Sequence, residues 1–279
     1  MLRNPVRTRI LTLLAVGLLG GAAACSAPEP ALDEVASTYV GHVHGLGVDP
    51  ADGVLYVAAH GGVFRVVDGR LSLVAGRSQD TMGFTVVGPG HFLASGHPAP
   101  TEDRPPHLGL IESRDAADTW ASLSLAGSAD FHSLEQGKDA LYGFDSRSQT
   151  LLRSRDRRTW QPVARGSFAD LAAHPTENGV VLATSAKGLL RVEGDGPPTV
   201  LAAPKGLTYL AWPGPRELVG VTAAGRLYAS PDAGSTWEAR GQLPGEVEAF
   251  QAGSDGWYAA SDEGLFTSTD AGTTWTRLL

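Results

Sequence analysis

Internal repetition constrains this chain more than any other feature. Four segments share one pattern: Ser113-Arg114-Asp115 to Trp120, Ser154-Arg155-Asp156 to Trp160, Ser230-Pro231-Asp232-Ala233-Gly234-Ser235-Thr236-Trp237, and Ser268-Thr269-Asp270-Ala271-Gly272-Thr273-Thr274-Trp275. The last two carry S-x-D-x-G-x-T-W in full. The first has Ala117 in place of the Gly, and the second is one residue short. In such a turn Asp115, Asp156, Asp232 and Asp270 accept backbone N–H groups, and the Gly supplies a positive φ. Trp120, Trp160, Trp237 and Trp275 then pack between neighbouring sheets. Ser113 and Ser154 are 41 residues apart, and Ser230 and Ser268 are 38 apart. One period before Ser230 lies Val192, inside Leu190-Arg191-Val192-Glu193-Gly194-Asp195-Gly196, a degenerate copy of the turn. Phe64-Arg65-Val66-Val67-Asp68-Gly69-Arg70 is a further copy. Six units of four short strands therefore fill residues 39–279, with Gly, Asp and Pro at the turns. One such sheet cannot bury both its faces, whereas six packed around an axis can. The expected fold is all-β, a six-bladed β-propeller of four-stranded antiparallel blades.

Composition agrees with that reading and removes alternatives. Gly and Pro, 35 and 18 of 279 residues, punctuate the whole length and argue against helical bundles. The 42% hydrophobic content is enough for a core and argues against intrinsic disorder. A single Cys excludes an intramolecular disulfide framework and a cysteine-based zinc finger.

That Cys instead has a positional meaning. Arg3, Arg7 and Arg9 form a basic start, Ile10 to Leu19 is a short apolar stretch, and Ala22-Ala23-Ala24 lead to Cys25. This order reads as a secretory signal too short to span a bilayer. It resembles the lipobox of bacterial lipoproteins, in which the Cys becomes the lipidated N-terminus. Residues 1–24 are thus expected to be a lipoprotein signal peptide, and residues 25–38 a lipidated Cys25 with a flexible tether. The expected location is the cell envelope, outside the cytoplasm, with lipid as the only attachment to the membrane. Loss of the three Arg moves the net charge from −8 to about −11. A surface that acidic repels phosphate backbones, so nucleic acid is not an expected partner.

The repeated turn resembles the Asp-box of the sialidase-like BNR propellers, over the whole of residues 39–279. The resemblance, to glycosyl hydrolase-like proteins, implies the same propeller architecture and a structural role for the boxes. It does not carry sialidase chemistry across, because that family uses three Arg and a Tyr nucleophile assisted by Glu. None of the six inner strands holds an Arg, and Tyr209 alone provides a Tyr there.

The first strands of the six units line the axis in a propeller and can be stacked. They begin His42-Val43-His44-Gly45-Leu46, Asp80-Thr81-Met82-Gly83-Phe84, Asp130-Phe131-His132-Ser133-Leu134, Ser167-Phe168-Ala169-Asp170-Leu171, Gly206-Leu207-Thr208-Tyr209-Leu210 and Glu246-Val247-Glu248-Ala249-Phe250. The fifth column is apolar throughout, while the first and third are largely polar. Strand alternation puts all three on one face. Either a bulge near Gly45 and Gly83 turns the strand, or the apolar column plugs the channel floor below a polar mouth. The second is the expectation here.

The mouth then gathers His42, His44, Met82, His132 and Glu248, with His60 and His97 from the ends of second strands. Asp145 and Asp262 occupy comparable second-strand ends, and His91, His107 and His174 read as surface residues. Imidazoles with a thioether and carboxylates point to a transition metal, copper or zinc. A small polar ligand is the other occupant of that site. The competing chemistry is glycoside hydrolysis by a carboxylate pair drawn from Glu248, Asp130, Glu246 and Asp80. A scaffold that binds another protein on its face is the third reading. The expected partners are a metal ion, small ligand or glycan at the propeller face, and the expected state is a monomer. The Pro-rich insertion at residues 98–107 reaches the same face as His97, as a semi-rigid lid or as a surface insertion.

Overall fold

The computed structural model describes residues 40–254 and 256–279, so the expected signal peptide, Cys25 and the tether lie outside the described residues. Each unit of the repeat folds into one antiparallel four-stranded sheet, with consecutive strands as neighbours. Blade 1 holds β1 (Val43–Val48), β2 (Leu55–Ala59), β3 (Gly62–Val67) and β4 (Arg70–Leu73). Blade 2 holds β5 (Asp80–Gly88), β6 (His91–His97), β7 (Leu110–Ser113) and β8 (Ala121–Ser124). Blade 3 runs from β9 (Phe131–Gln136) through β10 (Leu141–Asp145) and β11 (Thr150–Ser154) to β12 (Gln161–Arg165). Blade 4 comprises β13 (Phe168–Ala173), β14 (Val180–Ser185), β15 (Gly188–Glu193) and β16 (Thr199–Leu201). Blade 5 comprises β17 (Leu207–Ala211), β18 (Leu218–Thr222), β19 (Arg226–Ser230) and β20 (Glu238–Gln242). Blade 6 comprises β21 (Val247–Gly253), β22 (Gly256–Ser261), β23 (Gly264–Ser268) and β24 (Thr276–Arg277). The protein is a six-bladed β-propeller.

The core consists of six apolar layers, one at each junction between adjacent blades. Tyr56 and Val63 of blade 1 meet Phe84 and Phe92 of blade 2. Leu93 and Leu110 of blade 2 meet Phe131 and Leu134 of blade 3. The sequence of layers continues through blades 3 and 4, 4 and 5, and 5 and 6. Val43, Leu46 and Phe64 of blade 1 pack on Ala249, Ala260 and Leu265 of blade 6 and close the ring. Blade 6 takes all four strands from the C-terminal part of the chain. Closure therefore relies on side-chain packing and on Glu248 of β21, whose carboxylate accepts the Val43 N–H at 2.9 Å.

The repeated turns form as their chemistry requires. In the last, Ser268 Oγ donates to Asp270 Oδ1 at 2.8 Å and accepts the Gly272 N–H at 2.9 Å. The same carboxylate accepts the Thr274 N–H at 2.8 Å and its hydroxyl at 2.7 Å. These bonds hold the Asp270 carboxyl down to a pKa of about 2. The turns at Asp115 and Asp232 repeat the arrangement, and the shortened one keeps Asp156 bonded to the N–H groups of Arg158 and Thr159. Each Trp packs against the layer between its own blade and the one before it.

Gly272 sits at φ +81, and a Cβ there would lie 2.9 Å from both Leu227 Cδ2 and Trp257 Cζ3. Ala117 takes the equivalent left-handed position at φ 72. Gly272→Ala is expected to destabilise the fold by about 1–3 kcal/mol through overpacking and backbone strain. A urea denaturation midpoint indistinguishable from wild type would refute this account of the turn.

Candidate functional site

The inner strands resolve the conflict between polar and apolar columns. In every blade the pairing of the first strand with the second slips at the third column. His44, Met82, His132, Thr208 and Glu248 are the extra residues, and in blade 4 Ala169 and Asp170 together face Thr184. A bulge of this kind shifts the phase of the pleat. The second and fifth columns therefore share the core face, as Val43 with Leu46, Phe131 with Leu134 and Val247 with Phe250 do. The expected apolar plug is corrected: the fifth column packs between blades, and the bulge leaves the third column on the channel and its mouth. Gly83, just after one bulge, marks a close approach, since a Cβ there would come 2.7 Å from the Phe131 carbonyl oxygen.

The channel is a cavity of about 490 Å³ with His44, Met82 and His132 among its lining residues. At the mouth, the His44 ring lies 4.5 Å from His60 and 5.0 Å from His42, centre to centre. His44 and His60 join Asp80 in a group whose ligand atoms all lie within 4.8 Å of one another. His44 Nε2 and Asp80 Oδ1 are 3.8 Å apart, too far for a hydrogen bond. Both atoms are buried and have no hydrogen-bond partner. That gap is near the span of about 3.3 Å between two ligand atoms on a tetrahedral ion with bonds of about 2.0–2.1 Å. Burial, with His60 and His42 close by, pushes the His44 pKa down to about 3, so its ring is neutral with a lone pair. Burial also raises the Asp80 carboxyl, while His60 and His97 pull it back.

Asp130 is buried; its Oδ2 accepts from His132 Nε2 at 3.1 Å and from Ser146 Oγ at 2.9 Å. Burial opposes its ionisation, but these bonds outweigh that and hold the carboxyl below its usual range. His97 Nε2 faces Asp130 Oδ1 at 3.8 Å. Glu248 Oε1 also lies 3.2 Å from His42 Nδ1, a second polar contact at the ring closure. Glu246 is exposed, and its N–H donates to Asp262 Oδ1 at 2.7 Å. Asp145 does the same in blade 3, accepting the Asp130 N–H at 2.9 Å, so both second-strand Asp residues secure turns.

Two of the three His read as surface residues are corrected, and the third is partly buried. His174 is 3% exposed, lies against Trp212, and accepts N–H bonds from Thr176 and Glu177. His107 belongs to the mouth, where its ring lies 5.3 Å from His97. Its place at the end of the Pro-rich insertion was the available signal. His91, partly buried, contacts Glu112 at 2.8 Å.

Deeper in the channel, Glu135 and Asp170 line adjacent blades. Asp170 accepts the Leu210 N–H at 2.8 Å and faces Ser133 Oγ at 3.4 Å. Burial lifts Asp170 to about 7, and burial with the neighbouring Asp170 charge lifts Glu135 to about 8.

No family model and no curated protein matches the chain. Solved structures do resemble it. A GH74 xyloglucanase from Xanthomonas campestris aligns over 85% of this chain and 38% of its own, with TM-score 0.58 and 18% identity. A catalytically inactive virginiamycin B lyase from Staphylococcus aureus, with quinupristin, aligns over 88% and 86%, with TM-score 0.59 and 10% identity. The extracellular domain of a putative hybrid two-component system from B. thetaiotaomicron aligns over 86% of this chain, with TM-score 0.58 and 11% identity; this chain spans 33% of it. At these identities the likeness shows the fold alone.

Carboxyls whose folded pKa lies above the unfolded value of about 4 favour the fold fully below that value. Their contribution is lost as pH rises towards 7 and 8. The urea midpoint is therefore expected to fall between pH 5 and pH 8, and to fall less in Glu135→Gln. An equal fall in that variant would remove Glu135 as a cause.

Proposed function

We propose that this protein is an exported, lipid-anchored propeller that binds a divalent transition-metal ion, copper or zinc, at His44, His60 and Asp80. The observation that carries the reading is the pair of buried, unpartnered atoms, His44 Nε2 and Asp80 Oδ1, converging with His60. Burying polar atoms without partners is costly, and a bound cation removes that cost. Two imidazoles and one carboxylate suit zinc or copper(II) and leave a position open for a further ligand. Met82 lines the channel at the same level of the repeat and supplies a soft donor nearby. Hydrolysis of a glycoside draws less support. Among its candidate carboxylates, Asp80 and Asp130 face imidazoles, Glu248 secures the ring closure, and Glu246 lies exposed.

Zinc and copper(II) titrations followed by calorimetry test the reading. His44→Ala and His60→Ala are expected to abolish binding at this site without lowering thermal stability in the absence of metal. Wild-type affinity in both variants would refute it.

Attachment through Cys25 rests on the N-terminal sequence alone. Cys25→Ser is expected to move the protein from the membrane to the soluble fraction in a bacterial host, and unchanged fractionation would count against a lipid anchor.

A further inference from the structure

His97, His107 and Asp130 form a second group with its own geometry. Their ligand atoms lie within 4.8 Å of one another, like those of the first group. Asp130 has a side chain only 7% exposed, and its Oδ1 is buried without a hydrogen-bond partner, as is His107 Nδ1. His97 Nε2 stands 3.8 Å from Asp130 Oδ1, and His107 Nδ1 stands 3.7 Å from Asp130 Oδ2. Neither gap is a hydrogen bond.

The protonation of His97 follows from its other nitrogen. Nδ1 lies 2.8 Å from the Pro106 carbonyl oxygen, which can only accept, so Nδ1 carries the proton and the neutral ring keeps its lone pair on Nε2. That lone pair faces the site. A backbone carbonyl fixing the distal N–H of a His is the usual support of a metal ligand. His132 and Ser146 hold the other oxygen of Asp130 in the same supporting way.

The insertion delivers the third ligand. Residues 98–107 leave the end of β6 and return to it, with the Leu108 N–H donating to the Gly96 carbonyl at 2.9 Å. Glu102, midway along, meets Arg77 at 3.3 Å and so ties the strap to the segment between blades 1 and 2. Asp80 of the first group and His97 of the second sit directly opposite each other in the β5–β6 pairing. The two groups therefore flank a single pair of strands.

We propose that His97, His107 and Asp130 bind a second divalent transition ion, and that this ion pins the strap at residues 98–107 across the mouth. The site shares the metal chemistry of the reading above but none of its ligands.

The test is calorimetric titration of the full chain with zinc, together with hydrogen exchange of the strap amides. Wild type is expected to take up two ions and to gain protection over residues 98–107. His107→Ala should take up one ion and lose the zinc-dependent protection, and His107→Gln provides a second variant of similar size. His44→Ala should also take up one ion yet keep that protection. Two ions bound by both His107 variants, with protection intact, would overturn the second site. So would a single wild-type ion that is lost in His44→Ala and kept in His107→Gln, which leaves the first site standing. A single ion lost only in the His107 variants would remove the first reading and retain this one.

Discussion

One extra residue in the innermost strand of each blade decides where the chemistry of this propeller points. Without it, the second and fourth columns would share a face and the fifth would oppose them, as strict alternation demands. With it, the second and fifth columns both enter the layers between blades, as Phe168 and Leu171 do. The third column is then released from pairing. Where that column holds His44 or His132, a side chain is presented to the channel by backbone that is paired on either side. A site built this way is positioned by the core, because moving the bulge by one residue would drive Leu46 or Leu134 out of its layer.

Much of the architecture is legible in the chain itself. The 38- to 41-residue spacing and the Asp-containing turns suffice for six four-stranded blades, and the uniform fifth column sets the correct alignment of inner strands. The phase of the pleat is harder to read. Columns two and five are both apolar, three positions apart, and that odd spacing is the trace of the bulge. It is obscured because Thr81 stands in the second column and because alternation is the stronger habit. His107 shows a different limit. It lies at no repeat position and reaches the mouth through the path of an insertion, which depends on contacts such as Arg77 with Glu102 and His97 with Pro106. His174 shows a third, since nothing around it in the chain announces that Trp212 from the next blade covers it.

The six blades are alike in fold and unlike in chemistry. Blades 1, 2 and 3 contribute His44, His60, Asp80, His97, His107 and Asp130, whereas the equivalent third-column positions in blades 4 and 5 are Ala169 and Thr208. A ring of repeats permits this division because each blade contacts only its neighbours, so one arc can specialise while the rest maintains closure. Glu248 in blade 6 illustrates the boundary. It stands in the same column as His44, yet its carboxylate is engaged by the Val43 N–H and His42, where the last blade meets the first.

The channel also separates two kinds of titrating group by depth. At the mouth, burial works against protonation of His44 and leaves its nitrogen free to bind a cation. Further in, the same physical cause works against ionisation of Glu135 and Asp170, lifting them to about 8 and about 7. Desolvation disfavours whichever form is charged, so it produces a neutral base above and a neutral acid below. A cation at the proposed site would therefore meet a His44 lone pair that need not first lose a proton, while Glu135 would have to release its own before competing for it. Under the proposed reading, that difference favours the mouth over the deeper carboxyls as the place for a cation.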